Sequence, residues 1–160
     1  MRGHIAIGSA GLILLFIGCK QQSTELSTAD VAAVKANYTD WAKVAPNRQD
    51  SSAAGNLLTE DVWISTANQQ PVVGRPAMLA VLKTWPADLK QSWNVEEVVG
   101  SGNHAFSRAS VTEHFTQGGK PGQFHEVCLS LHRRNAAGAR QFSRVACHPI
   151  DTLTTATNTR

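Results

Sequence analysis

"QQPVVGRPAMLAVL", Gln69 to Leu82, decides how this chain is to be folded. Pro71-Val72-Val73 is extended by composition, Gly74 permits a turn that a residue with a side chain makes only at a cost, and Pro76 suits the first turn of a new helix. Ala77, Met78, Val81 and Leu82 then give that helix an apolar stripe, and Trp85-Pro86 ends it. A strand that stops at a glycine and starts a helix at once is a corner, and Arg75 stands at that corner as a donor able to fix it.

Before the corner, "TADVAAVKANYTDWAKVA" carries Val31, Val34, Tyr38, Trp41 and Ala42 at helical spacing, with Thr28 as N-cap and Pro46 as terminator. "SSAAGNLL" predicts a second, shorter helix, and "EDVWIST" a strand. After the corner four strands follow: Leu89 to Val99, His104 to Phe115, Phe124 to Arg134 and Arg140 to His148. "SGN", "QGGKPG" and "NAAG" join them, as in an antiparallel meander. The pattern predicts an α+β domain with three N-terminal helices packed on a strongly curved antiparallel sheet. Such a sheet leaves a conical hollow.

The chain has 160 residues, and not all of them read as domain. Met1 to His4 is a short basic start and "IAIGSAGLILLFI" a brief apolar run, below the roughly 20 residues that span a bilayer. Together they describe a secretory signal peptide. "FIGC" at its end resembles the lipobox of bacterial lipoproteins, although Phe16 stands where leucine is usual. The resemblance implies cleavage after residue 18, lipid on Cys19 and a membrane-anchored, extracytoplasmic protein. Lys20 after that cysteine points to the outer membrane, facing the periplasm. Residues 19–28 read as a polar tether, 29–150 as the domain and 151–160, "DTLTTATNTR", as a flexible tail.

Lys and Arg number 15 against 12 Asp and Glu, a net charge of +3, with the basic residues scattered and only Arg133-Arg134 adjacent. That distribution argues against nucleic acid as a partner.

"LLTEDVWIS…QQPVVGRPAMLAVL", "VVGSGNHAFSRASV" and "LSLHRRNAAGARQFSRVA", in that order, resemble the NTF2-like superfamily in its SnoaL-like and ketosteroid-isomerase-like branch. The resemblance implies the cone and places Gly74-Arg75 beside its mouth as architecture. It also implies where an isomerase site would lie: a helix-one tyrosine, a carboxylate base after the first strand and an acid on a late strand. Tyr38 matches the first. The second falls near Thr66 and the third on Ser130 or Leu131, and neither is a carboxylate. Steroid-type proton abstraction is therefore not expected, and the enzyme question leans to no. The face used by Glu113 and Glu126 is open at this level.

The ligand-pocket candidates are Tyr38, Trp63, Arg108, His125, Arg144 and His148. Tyrosine and tryptophan rings line hollows where their polar tips find a partner. His125, His148, Arg144 and Arg108 would form a polar group if their face is the concave one; the other face makes them solvated or part of a subunit contact. None of the histidines, His132 among them, shows tight ligand spacing, so no metal and no cofactor is expected. Cys128 and Cys147 flank one turn, either as a disulfide or as two buried thiols. The expectation is a lipid-anchored domain that binds a small apolar or amphipathic ligand and forms a homodimer. The rivals are an isomerase, cyclase or hydratase using Tyr38 and histidine, and a dimerising interaction module.

Overall fold

The computed structural model describes residues 25–47, 52–66 and 69–150. Helix α1 spans Thr28–Val44, α2 Ser52–Asn56 and α3 Arg75–Leu82. The strands are β1 (Leu58–Ser65), β2 (Val72–Val73), β3 (Lys90–Ser101), β4 (His104–Gln117), β5 (Lys120–Arg134) and β6 (Arg140–Pro149). They form one six-stranded curved sheet in the order β2-β1-β6-β5-β4-β3. The pairings are antiparallel except for β1 with β6, which is parallel. The α+β architecture is as expected, with that one parallel seam added. The seam puts the first strand beside the last and holds the two ends of the domain together.

The cap of α1 is Ser27, not Thr28. Ser27 Oγ accepts the Asp30 N–H at 3.2 Å and the Asp30 carboxylate accepts the Ser27 N–H at 3.2 Å, a reciprocal box. Ser27 and Thr28, read as tether from sequence, therefore belong to the domain. Val34, Tyr38 and Trp41 are buried on the face of α1 that meets the sheet. They pack into one core with Leu58, Val62, Met78, Leu82, Ala105, Ala109 and Phe142.

The corner is as the sequence implies. Gly74 has φ of 89°, its N–H donates to Val62 O at 2.7 Å, and α3 starts on the next residue. Arg75 donates from Nη2 and Nε to Leu58 O at 2.6 and 3.0 Å, and from Nη1 to Glu60 at 2.6 Å. Its guanidinium ties the helix start to β1.

Two details of the meander depart from expectation. "QGGKPG" is not a six-residue loop: Gln117 pairs with Lys120, and Gly118 and Gly119, at φ of 59° and 77°, make a two-residue turn. β3 carries a bulge between Val95 and Glu97, so its later residues change faces. Val98 packs on the core, while Val99 is 49% exposed on the convex side. Residues 1–18, expected as a signal peptide, Cys19, most of the expected tether and residues 151–160, expected as a tail, lie outside the described residues. No described helix is long and apolar enough to cross a membrane.

Candidate functional site

α1 and α3 lie across the concave face of the sheet and leave a hollow of about 230 Å³. Tyr38 and Trp41 of α1, Met78 and Val81 of α3, Trp85 beyond it and Trp93 of β3 supply most of its apolar wall. The sheet contributes alternate residues, as the pleat requires: Phe124, Glu126 and Ser130 from β5, Val145 and Cys147 from β6, Gln91 from β3 and Glu113 from β4.

Tyr38 closes the narrow end. Its ring stands 4.9 Å from Trp93 and 5.0 Å from Phe142, centroid to centroid. Its hydroxyl lies 2.8 Å from Ser107 Oγ and 2.9 Å from Ser130 Oγ. Ser107 Oγ is in turn 2.9 Å from His132 Nε2, and Asn37 Nδ2 faces His132 Nδ1 at 3.5 Å while donating to Arg140 O at 2.9 Å. The donors order this chain. An amide NH₂ has only hydrogens to offer, so Nδ1 is the bare nitrogen and the ring proton sits on Nε2. Nε2–H then donates to Ser107, Ser107 to Tyr38 and Tyr38 to Ser130. Burial and the nearby Arg140 charge hold His132 neutral, lowering its pKa from 6.5 to about 4. Burial raises the Tyr38 phenol, against the opposing effect of its two serine partners.

Behind this chain lies a buried ion pair. Arg140, 3% exposed, donates through Nη2 to Asp30 at 3.0 Å and to Gly102 O at 2.8 Å. Asp30 also pairs with Arg134 and closes the α1 cap. Its hydrogen bonds, first that from Ser27, hold its pKa down to about 2.

The wall nearer the opening is different. Gln91 pairs with Glu113 across β3 and β4, its Nε2 donating to Glu113 Oε1 at 2.6 Å. Glu113 is diagonal to Glu126 on β5, because Val111 is the residue opposite Glu126. Glu126 is 7% exposed and has no hydrogen-bond partner among the described residues. Burial, and secondarily the Glu113 charge, push its pKa up to about 7. Gln91 Oε1 and Trp93 Nε1 are fully buried without partners among the described residues, whereas the Glu126 oxygens keep some access to solvent. Glu126 lies close to the sulfurs of Cys128 and Cys147, a grouping with metal-ligand chemistry on paper. Those cysteines are directly opposed on β5 and β6 and joined in a disulfide, which removes their thiolates as ligands.

Of the sequence candidates only Tyr38 reaches the hollow. Trp63, Arg108, His125, Arg144 and His148 are brought to the opposite, convex face, because each alternates with a residue that points inward. Ile64 lines the hollow and Trp63 does not; Val145 and Cys147 line it and Arg144 and His148 do not. Arg108 pairs with Glu96 at 3.3 Å, Arg144 with Asp61 at 3.3 Å, and His125 Nδ1 lies 3.0 Å from Thr112 Oγ1. His125, Arg144 and His148 share a face, but it is the outer one. The polar residues of the wall are instead Glu113, Glu126, Gln91 and Ser130, and Thr66, near which the resemblance put the base, lines the hollow with Gln69 and Gln70. One signal pointed to the wall: if Ser130 occupies the late-strand position of the site, Glu126, four residues earlier on the same strand, shares its face.

An α+β cone of helices on a curved sheet, hollow beneath and closed by a helix-one tyrosine, defines the NTF2-like fold. A model of the SnoaL-like domain matches residues 34–140, and the chain belongs to that family, which includes isomerases and hydratases. Among solved structures, a ketosteroid isomerase-like protein from Erwinia carotovora atroseptica is similar at 21% identity, with 78% of this chain and 99% of that one covered and a TM-score of 0.66. An NTF2-like protein with a cystatin-like fold from Novosphingobium aromaticivorans matches at 18% identity, 80% and 86% coverage and TM-score 0.69. A conserved protein from Planctomyces limnophilus matches at 23% identity, 78% and 100% coverage and TM-score 0.66. At these identities the likeness is one of fold. No curated protein matches the sequence.

Proposed function

We propose that this domain binds a small ligand with an apolar body in its hollow, outside the cytoplasm, and is held to the membrane by lipid on Cys19. The observation that carries the binding reading is the hollow itself. Its 230 Å³ exceeds the roughly 150 Å³ in which an engineered apolar cavity takes up benzene. Buried polar atoms without partners line it, and such atoms are destabilising unless something meets them. A thermal-shift screen of small aromatic and alicyclic compounds on the purified protein tests the reading. A ligand at a hundred times its Kd adds about 2.7 kcal/mol of stability. The decisive hit is one lost when Val145→Trp fills the hollow; hits that survive that change would place binding elsewhere.

The Cys128–Cys147 disulfide supports an oxidising compartment, and with Lys20 after Cys19 the proposal is the outer membrane, facing the periplasm. Mass spectrometry of the mature N-terminus tests the lipid; an unmodified N-terminus elsewhere would end that part. The proposal extends to a homodimer through the convex face, where Val99, Phe106 and Leu129 are 49%, 36% and 44% exposed. Sedimentation at high concentration tests it, with a persistent monomer as the contrary result.

A second reading has its own observation. A carboxyl group in an apolar hollow with a pKa of about 7 can take or give a proton at neutral pH. In an isomerase or hydratase of this kind Glu126 would be the base, in place of the histidine that sequence alone suggested. A hit from the screen would then be turned over, faster as pH rises through 7, and Glu126→Gln would stop turnover while the ligand still bound. A ligand returned unchanged leaves binding alone.

A further inference from the structure

The hollow carries its charged side chains with one sign. Glu113 and Glu126 line it, and among the described residues no lysine, arginine or histidine does, although the whole chain is net positive at +3. Glu126 is more than nine-tenths buried and lacks a hydrogen-bond partner among the described residues. Gln91 Oε1 is a second buried acceptor without one. Register places these groups side by side: Gln91 opposite Glu113, Glu113 diagonal to Glu126, all on the concave face. Around them stand the rings of Trp93, Tyr38, Phe124 and Trp85.

The two carboxyl groups and the spare amide oxygen select against an anion, while the one unpartnered donor of the hollow among the described residues, Trp93 Nε1–H, is neutral. A carboxylate or phosphate ligand would meet two acidic groups with no basic one to answer. A neutral apolar ligand would fill the space and leave the acceptors unmet. An alkylammonium has three N–H donors and no acceptor, which complements spare lone pairs on two carboxyl groups and one amide oxygen. Aromatic faces attract the same cation through the ring quadrupole, and more strongly when it is desolvated.

Resting on the ligand-binding reading, we infer that the ligand of this hollow is an organic cation: a small amine whose ammonium sits against Gln91, Glu113 and Glu126 and whose apolar body lies among the aromatic rings. The titration of Glu126 agrees with this. Glu126 has Val111 opposite and Glu113 diagonal to it on β4, and Pro149 opposite and the disulfide diagonal to it towards β6, with Gln91 and Trp93 of β3 and Tyr38 of α1 lining the same hollow; of these Glu113 supplies the charge that acts on it. A cation placed there opposes the Glu113 repulsion and gives the ionised carboxylate a charge partner that outweighs its burial, so binding expels a proton from Glu126, and affinity for the amine rises with pH up to about 7.

The test uses three compounds with one aryl body, phenethylamine, 2-phenylethanol and phenylacetate, titrated calorimetrically into the purified protein at pH 8, about one unit above the Glu126 value of about 7. The expected order is amine, then alcohol, then acid. Glu126→Gln should weaken the amine by about thirtyfold, as loss of a buried charge partner does, and leave the alcohol within about twofold. The alcohol thereby also reports that the variant is folded. Glu113→Gln should weaken the amine less, because that carboxylate already accepts from Gln91. If the alcohol or the acid binds as tightly as the amine, the cation inference is overturned and the ligand-binding reading stands. If Glu126→Gln weakens amine and alcohol alike, Glu126 shapes the hollow without recognising charge, and the inference is likewise overturned. If none of the three binds at millimolar concentration, both readings fall.

Discussion

The narrow end of the cone and the wall of its hollow both bury polar side chains, and they treat them in opposite ways. At the narrow end each group hands a hydrogen to the next: His132 to Ser107, Ser107 to Tyr38, Tyr38 to Ser130, with Asn37 and the Asp30–Arg140 pair behind, where Arg140 Nη1 is the one buried side-chain atom left without a partner among the described residues. In the wall, Glu126, Gln91 Oε1 and Trp93 Nε1 are left unanswered among the described residues. A satisfied network makes a unique, rigid core; unsatisfied groups lower stability unless something fills them. The contrast separates the part of the molecule that holds the fold from the part that the proposed ligand would meet.

The largest effect should come from breaking the satisfied end. Asp30→Ala strips the partner from a buried guanidinium and opens the α1 cap together. Loss of about 3–5 kcal/mol is expected from the stranded charge alone. Denaturant melts check it, and a change below about 1 kcal/mol would mean that water already screens Arg140.

The next effect concerns the wall. The disulfide closes a span of 19 residues between strands already paired, and Cys147 lines the hollow. Reduction, or Cys128→Ala with Cys147→Ala, should lower stability by about 2–3 kcal/mol. Melts with and without reductant measure it. Identical curves, with two thiols titrating in the untreated protein, would remove the bond.

The fold was more legible in the sequence than the site, and particular residues say why. Helix periodicity and Gly74 are local signals, readable where they stand, and "QGGKPG" reads as a turn although not as one of two residues. The sheet faces are not local. Whether Arg144 or Val145 points inward depends on register against β5, and there the ladder slips between Leu131 and His132. A slip of one residue exchanges the faces, so His125, Arg144 and His148 read as well inward as outward. The bulge after Val95 did the same to Val99. Glu126 was visible as a residue and invisible as a site, because its meaning lies in the absence of a partner.

The two regions should also titrate with opposite sign. His132 has a folded pKa lowered from 6.5 to about 4, so the stability it gives is present above 6.5 and is lost as pH falls toward 4. Glu126 has a folded pKa raised from 4.5 to about 7, so its contribution is present below 4.5 and is lost as pH rises through 7. At roughly 1.4 kcal/mol per unit each shift sets a ceiling of about 3.5 kcal/mol, lowered for Glu126 by the solvent that reaches its carboxyl group. Between these limits they offset one another in the wild type. Glu126→Gln should leave the His132 limb alone: stability then climbs from pH 4 to pH 7 and is flat above, and at pH 8 the variant is more stable than the wild type. Melting temperatures across that range, without ligand, decide it. A variant profile parallel to the wild type would show Glu126 to be ionised and hydrated, and the contrast between the regions would lose its electrostatic half.

The smallest effect is expected on the convex face. Arg144 donates from Nη1 to Asp61 O at 2.9 Å and Ser143 O at 2.7 Å, and pairs with the Asp61 carboxylate at 3.3 Å; its side chain is 45% exposed and that of Asp61 52%. Pairs this wet contribute about 0–1 kcal/mol, since water answers either partner when the other is removed. Arg144 is also separated from the hollow by the sheet itself, with Val145 as its inward neighbour. Arg144→Ala should therefore shift the melting midpoint by less than about 1 kcal/mol and leave affinity for any ligand of the hollow unchanged, where Glu126→Gln changes it. Salt offers a further check: high ionic strength screens an exposed pair, so the small difference between wild type and Arg144→Ala should shrink as salt is added. If Arg144→Ala instead weakened the ligand while stability held, the binding site would lie on the convex face, and the unanswered groups of the hollow would need another explanation.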